Sequence, residues 1–167
     1  MNVDAEDRRL LRVLQREGRI AMVELARRAN MSETTCLRRV RSLEAAGIIT
    51  GYRAEIARES TGLDVTAFIQ VSLDQRIEAA SDVFKKSIRD EPWVLECYSV
   101  AGSYDHLLKV VATDNQALAS FVLKRLATYE SVRDFQTVFV LDTVKQETAL
   151  PLEERRDPVT SGASGGR

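Results

Sequence analysis

The amino-acid sequence predicts an α+β chain in two parts, a small N-terminal group of three helices with a short hairpin and a C-terminal four-stranded sheet carrying two helices. Two observations carry this reading. Apolar residues recur at helical spacing as far as Leu43 and alternate as in strands from Val65 onward. The charges divide at nearly the same place, since residues 1 to 60 hold 12 Arg against 9 Asp and Glu, net +3, and residues 61 to 167 hold 12 Lys and Arg against 16 acids, net −4. Every basic residue of the first part is Arg, and all five Lys lie in the second.

Each element has a local cause. Asp4 stands where a cap belongs, ahead of Glu6 and Asp7 and an apolar stripe of Leu10, Leu11 and Leu14, and Gly18 is the expected stop. Val23, Leu25, Ala26 and Ala29 give a second helix that ends at Asn30, a residue tolerant of the left-handed turn, and begins at Ala21 without a hydroxyl cap. Ser32 opens a third helix through Cys36, Val40 and Leu43 to Gly47. Residues 48–56 read as two short strands bent at Gly51, a wing. Periodicity lapses over 58–64, the expected linker, so the first domain is set at 1–57.

Val65 to Asp74 alternates as a strand, and Ala80, Val83, Phe84, Ser87 and Ile88 form the stripe of a helix closed by Pro92. Residues 93–101 and 105–113 make a hairpin through Gly102, Ser103 and Tyr104. Asp114 caps a helix with Leu118, Phe121, Val122 and Leu126 inward, and 132–146 is a long last strand. The order β-α-β-β-α-β is the ferredoxin-like arrangement, covering residues 65–150. Two helices cover one face only, so Phe68, Tyr98, Leu108, Val110, Phe139 and Leu141 are expected on a bare face closed by a second copy, which makes the chain a homodimer. Residues 151–167 read as a flexible tail.

Several function classes fall away. No apolar run reaches the ~18 residues that cross a bilayer, and no apolar signal core follows Met1, so a cytoplasmic protein without membrane contact is expected. Cys36 and Cys97 lack the paired spacing of a zinc or redox site and read as small buried residues; no metal or cofactor is expected. His106 beside Asp105 suggests catalysis, but no nucleophile, second acid or ligand set accompanies it, so a strand residue is expected and no catalytic residue is assigned.

The third helix carries a different chemistry. On a wheel of 100° per residue, Cys36, Val40 and Leu43 share one side while Thr34, Arg38, Arg41 and Ser42 lie opposite, with Thr35 on the flank. Hydroxyls and guanidinium forks on one face suit the base edges and phosphates of a major groove, and Ser32 with the first-turn N–H groups suits a phosphate. Arg39 lies nearer the core side, where a phosphate contact and an ion pair with the first two helices stand as equal readings. Tyr52 and Arg53 either touch the DNA backbone or, for Tyr52, pack beneath the wing.

The run Leu25-Ala26-Arg27-Arg28-Ala29-Asn30-Met31-Ser32, then Cys36 through Tyr52, resembles the winged helix-turn-helix of the Lrp/AsnC family of transcription regulators. Val94 to Val110, centred on Gly102-Ser103-Tyr104-Asp105, resembles the effector domain of the same family. The resemblance implies a regulator of amino-acid metabolism or transport that binds a double-stranded operator and, between dimers near this hairpin, an amino acid or related acid. It also implies dimers through the sheet, assembling in some members into an octamer of four dimers. Gly102, Ser103, Tyr104 and Asp105 would contact the effector, the turn amides holding a carboxylate and Asp105 an ammonium group. Thr137 would face the same region. Turn chemistry alone also accounts for Gly102 and Asp105. The rival reading is a small enzyme acting on an amino acid through Asp105 and His106.

Overall fold

A computed structural model describes residues 3–152, which divide into two compact units. One holds residues 3–54 together with 146–152, and the other holds Glu55–Lys145. The sequence reading ends the last strand at Gln146, the second domain at 150, and gives 151–167 to a tail. By their contacts 146–152 group with the three helices, and the remainder of the tail, 153–167, lies outside the described residues.

In the first unit α1 (Ala5–Leu14), α2 (Met22–Ala29) and α3 (Glu33–Ala45) surround a core of Leu10, Leu25, Ala29, Cys36 and Val40. α1 starts as expected. Asp4 Oδ1 accepts the Asp7 N–H at 2.7 Å, and Asp7 Oδ2 accepts the Asp4 N–H at 3.3 Å, a reciprocal cap that satisfies two otherwise open donors. The helix ends at Leu14, short of Gly18, because Arg16 N–H turns back to Val13 O in a tighter three-residue loop. Asn30 closes α2 at φ 55°, and Met31 N–H reaches Ala26 O at 3.0 Å. Ser32 Oγ caps α3 by accepting the Thr35 N–H, and Gly47 takes the left-handed φ of 68° that ends it.

The expected wing strands are absent: residues 48–57 form no strand, and Ile48 and Ile49 instead donate their N–H groups to Leu43 O. The segment is fixed by side chains. Tyr52 donates its hydroxyl to Glu44 Oε1 at 3.0 Å, and its ring edge lies where a Cβ on Gly18 would meet it at 3.5 Å. The late segment closes on α1, where Gln15 Nε2 donates to Leu150 O at 2.8 Å and Leu150 N–H donates to Gln15 Oε1 at 2.9 Å. Leu150 and Leu152 line an apolar cleft of about 380 Å³ with Leu11, Ile48 and Tyr52.

The second unit opens with a 3-10 turn, Arg58–Thr61, then β1 (Val65–Leu73), α4 (Ala80–Arg89), β2 (Val94–Ser99), β3 (His106–Ala112), α5 (Asn115–Lys124) and β4 (Val132–Phe139). The strands form one antiparallel sheet in the order β2-β3-β1-β4, the ferredoxin-like arrangement. Ala67, Ile69, Val71 and Leu73 of β1 pack beneath Phe84 and Ile88 of α4 and Leu118 and Phe121 of α5. Asp114 Oδ1 caps α5 by accepting the Ala117 N–H at 2.7 Å.

Register corrects several assignments. Ile69 faces Leu108 and Ala67 faces Val110, so Leu108 and Val110 lie in the core under the helices rather than on the bare face. The open face carries Phe68, Tyr98, Leu107, Lys109 and Val138 instead, since Gln70 pairs Leu107, Phe68 pairs Lys109 and Val138, and Tyr98 pairs Leu107. Phe139 pairs Ala67 on the helix side, and Leu141 lies beyond the sheet. β4 stops at Phe139 instead of Gln146 because its neighbour β1 begins at Val65; the last link is Val140 N–H to Thr66 O. Val83 is exposed and Ser87 half-buried, so the inner stripe of α4 is Ala80, Phe84 and Ile88 alone. Cys36 is buried as expected, but Cys97 is exposed on the sheet-edge strand β2.

Candidate functional site

The outer face of α3 presents Ser32, Thr34, Arg38 and Arg41 to solvent, with Thr35 and Ser42 half-buried beside them. Thr35 is held by Ser32, whose hydroxyl lies 2.9 Å from Thr35 Oγ1. Among the described residues no carboxylate pairs with Arg38 or Arg41, so both guanidinium forks are available to an outside acceptor. Arg39 differs. It is half-buried, and its Nη1 donates to Asp4 Oδ2 at 2.9 Å and Asp7 Oδ1 at 2.8 Å while Nη2 pairs with Glu6. Of its two readings, the structure gives the ion pair with the first helix. The bond from Asp4, then that from Asp7, holds the Arg39 guanidinium well above its ordinary range. The Asp7 N–H and then Arg39 hold the Asp4 carboxyl below its own. Tyr52 remains 49% exposed, with its ring edge beside Gly18 and its hydroxyl on Glu44, and partial burial followed by Glu44 pushes its phenol up to about 12.

The second candidate is a cleft of about 480 Å³ at the hairpin end of the sheet, lined by Leu73, Gln75, Glu78, Ser81, Ser99, Asp105 and His106 among others. Asp105 is anchored there. Its N–H donates to Val71 O at 2.9 Å, its Oδ2 accepts the Leu73 N–H at 2.7 Å, and Gln75 Nε2 approaches Oδ1 at only 3.5 Å. Oδ1 therefore keeps acceptor capacity toward the cleft. His106 forms the floor, 2% exposed and stacked on Phe84 at 4.8 Å between ring centres, with Ser81 Oγ 3.4 Å from Nε2 and Ser99 Oγ 3.3 Å from Nδ1. Burial, then Lys85, pushes its imidazole below the usual range. This is the strand residue that the sequence suggests.

The expected effector residues separate. Asp105 lines the cleft, while Gly102 and Ser103 are exposed and Tyr104 half-buried in the turn. Thr137 sits opposite Ile69 on β4, with β1 between it and the hairpin, and is not in the lining. Gln75, Glu78, Ser81 and Ser99 went unread in the sequence; the pairing of Val71 with His106, and of Ser99 with His106, is the signal that brings them together.

A three-helix unit with a free arginine face, joined to a ferredoxin-like unit with a polar cleft, defines a two-domain transcription regulator. Residues 4–50 match the model of the winged helix-turn-helix DNA-binding domain, and 66–150 match that of the Lrp/AsnC ligand-binding domain. The chain belongs to the Lrp/AsnC family, whose members are transcription regulators and not enzymes. The leucine-responsive regulatory protein of Rhizobium meliloti is 39% identical over 145 residues, 87% of this chain and 93% of that protein. A transcriptional regulator of Neisseria meningitidis, crystallised with L-Met, superposes with a TM-score of 0.86 at 41% identity, covering 90% of this chain and 97% of that one. The feast or famine regulatory protein of Mycobacterium tuberculosis, complexed with L-methionine, does so with a TM-score of 0.80 at 32% identity, over 88% and 97%. Among the described residues no helix is long and apolar enough to cross a membrane.

Proposed function

We propose that this regulator controls amino-acid metabolism or transport in the cytoplasm, reading its operator with α3 and changing affinity or assembly when an amino acid fills the Asp105 cleft. The single observation that carries the DNA reading is the exposed pair Arg38 and Arg41, without carboxylate partners, on the face opposite Cys36 and Val40. Ser32, Thr34, Thr35 and Ser42 supply hydroxyls around them for phosphates and base edges. Duplexes selected from genomic fragments give the operator. Arg38→Ala and Arg41→Ala each lower affinity for it by about 1 to 3 kcal/mol in gel-shift titrations. Unchanged binding in both moves the reading surface off α3.

For the effector, the cleft lining holds Asp105 and Glu78 and no Lys or Arg, which suits an ammonium group better than a bare 2-oxo acid. Two relatives crystallised with methionine support an amino acid. The turn from Gly102 to Tyr104 runs directly into Asp105 and supplies backbone groups for the effector's carboxylate, and Thr137 is a further contact where a second dimer closes the site. In a thermal-shift screen of the twenty amino acids and common 2-oxo acids, an amino acid at ~100 times its Kd adds about 2.7 kcal/mol. Asp105→Asn, which keeps an acceptor for Leu73 N–H, abolishes that shift. Phe68, Tyr98, Leu107 and Val138 form the dimer face, and four such dimers close the octamer; light scattering gives the mass.

A further inference from the structure

Asp4 and Asp7 each do two things at once. In both, one carboxylate oxygen caps α1 (Asp4 Oδ1 and Asp7 Oδ2) while the other (Asp4 Oδ2 and Asp7 Oδ1) receives Arg39 Nη1, and Glu6 takes Nη2. The N-terminus of α1 is thus a cradle of three carboxylates closed on one side chain of α3, 32 to 35 residues away along the chain.

We infer that Arg39 is a positioning residue, which sets the rotation of α3 about its own axis and thereby the aim of Arg38 and Arg41, and that it contacts no phosphate. Resting on the reading of α3 as the DNA-contacting helix, this assigns Arg39 a role opposite to that of its neighbours. At about 100° per residue, Arg38 and Arg41 lie about 60° apart, while Arg39 stands about 100° from one and 160° from the other. Pinning Arg39 to α1 therefore turns the other two outward. Charge agrees, because Asp4, Glu6 and Asp7 already surround the Arg39 guanidinium, with Arg9 reaching Glu6 alone at 3.8 Å, so the Arg39 fork is taken up by carboxylates and not offered to a phosphate. Asp7 is 1% exposed, so its charge has no water to turn to, and the planar fork that bridges Asp4, Asp7 and Glu6 has no equivalent in lysine.

The test uses the full chain, with affinities for the selected operator and for a scrambled duplex measured across a salt series. Arg39→Lys is expected to lower the operator-to-scrambled ratio at least tenfold while the slope of log K against log salt stays that of the wild type. A slope shallower by about 1, with both duplexes weakened equally, would make Arg39 a phosphate contact and overturn the inference. Asp4→Asn guards against a fold defect, since asparagine still caps α1 but carries no charge for Arg39. Positioning predicts the same fall in ratio from this variant, although it removes an acid and frees an arginine. A ratio unchanged or improved by Asp4→Asn also overturns it. If Arg38→Ala and Arg41→Ala leave operator binding intact, the failure lies with α3 as reader, and the Arg39 variants are then judged against that result.

Discussion

Both units close on an apolar core, but their elements are oriented by different contacts, and the contrast follows what each presents to a partner. In the helical unit, elements are oriented by charge across long sequence distances: Arg39 to Asp4, Glu6 and Asp7, and Arg28 of α2 to Glu17 in the loop before it. In the sheet unit they are oriented by apolar registry, with Phe84, Ile69, Leu108 and Leu118 fully buried and a few polar anchors at the rim. A surface that must aim cations outward is set by fixing another cation inward. A surface that must bury a face needs only shape and alternation.

Core truncation should show the largest effect. Phe84→Ala is expected to cost the sheet unit about 3 to 5 kcal/mol in denaturant titrations followed through Trp93, the chain's one tryptophan, which lies in that unit. An equal loss of protection in α1–α3 by hydrogen exchange would break the contrast. Next comes the rim anchor, where buried Glu91 accepts the Tyr129 hydroxyl at 2.6 Å and pairs with Arg125 at 2.9 Å. Tyr129→Phe leaves that carboxylate with one partner and should cost about 1 to 3 kcal/mol on the same Trp93 signal. In the helical unit Ser32→Ala removes the cap of α3 and should cost about 1 kcal/mol, read as faster exchange of the Thr35 amide.

Acid separates the units by pH window. His106 has its folded value below its unfolded one, so native chains bind fewer protons, and its stabilising share fades as pH falls through the ordinary imidazole range. Asp4 and Glu24 are carboxylates lowered by their partners, Glu24 to about 2, chiefly by Arg27 and Arg28. Their share is complete above the usual carboxylate range and is lost only as pH falls through the folded values. The Trp93 signal should therefore lose stability at a higher pH than α1–α3 exchange does, and His106→Gln should remove the difference.

Caps and single-strand alternation were legible because they are local. Asp4, Ser32 and Asp114 each receive the amide three residues on, and β1 buries every second residue from Ala67. The outward set of Arg38 and Arg41 followed from the wheel alone. What failed depended on distant neighbours. Leu107, Leu108, Val110 and Val111 put apolar residues on both parities around Lys109, and register with β1 assigns Leu108 and Val110 to the core. β4 ends at Phe139 because β1 begins at Val65, a limit set by the partner strand and not by β4's own residues. The choice for Arg39 needed acids more than thirty residues upstream, and the missing wing strands needed Leu43 O and Glu44 as the competing acceptors.

The clasp between Gln15 and Leu150 has a consequence for how the molecule is made. The helices leave the ribosome first, yet the strip that covers Leu11 emerges only after β4 has been made. At ~5 to 20 residues per second a nascent chain keeps that flank open for on the order of ten seconds. A gene fragment cut after Ala54 never closes it, so a reader domain cloned alone should be stickier in solution than the same residues within the full chain.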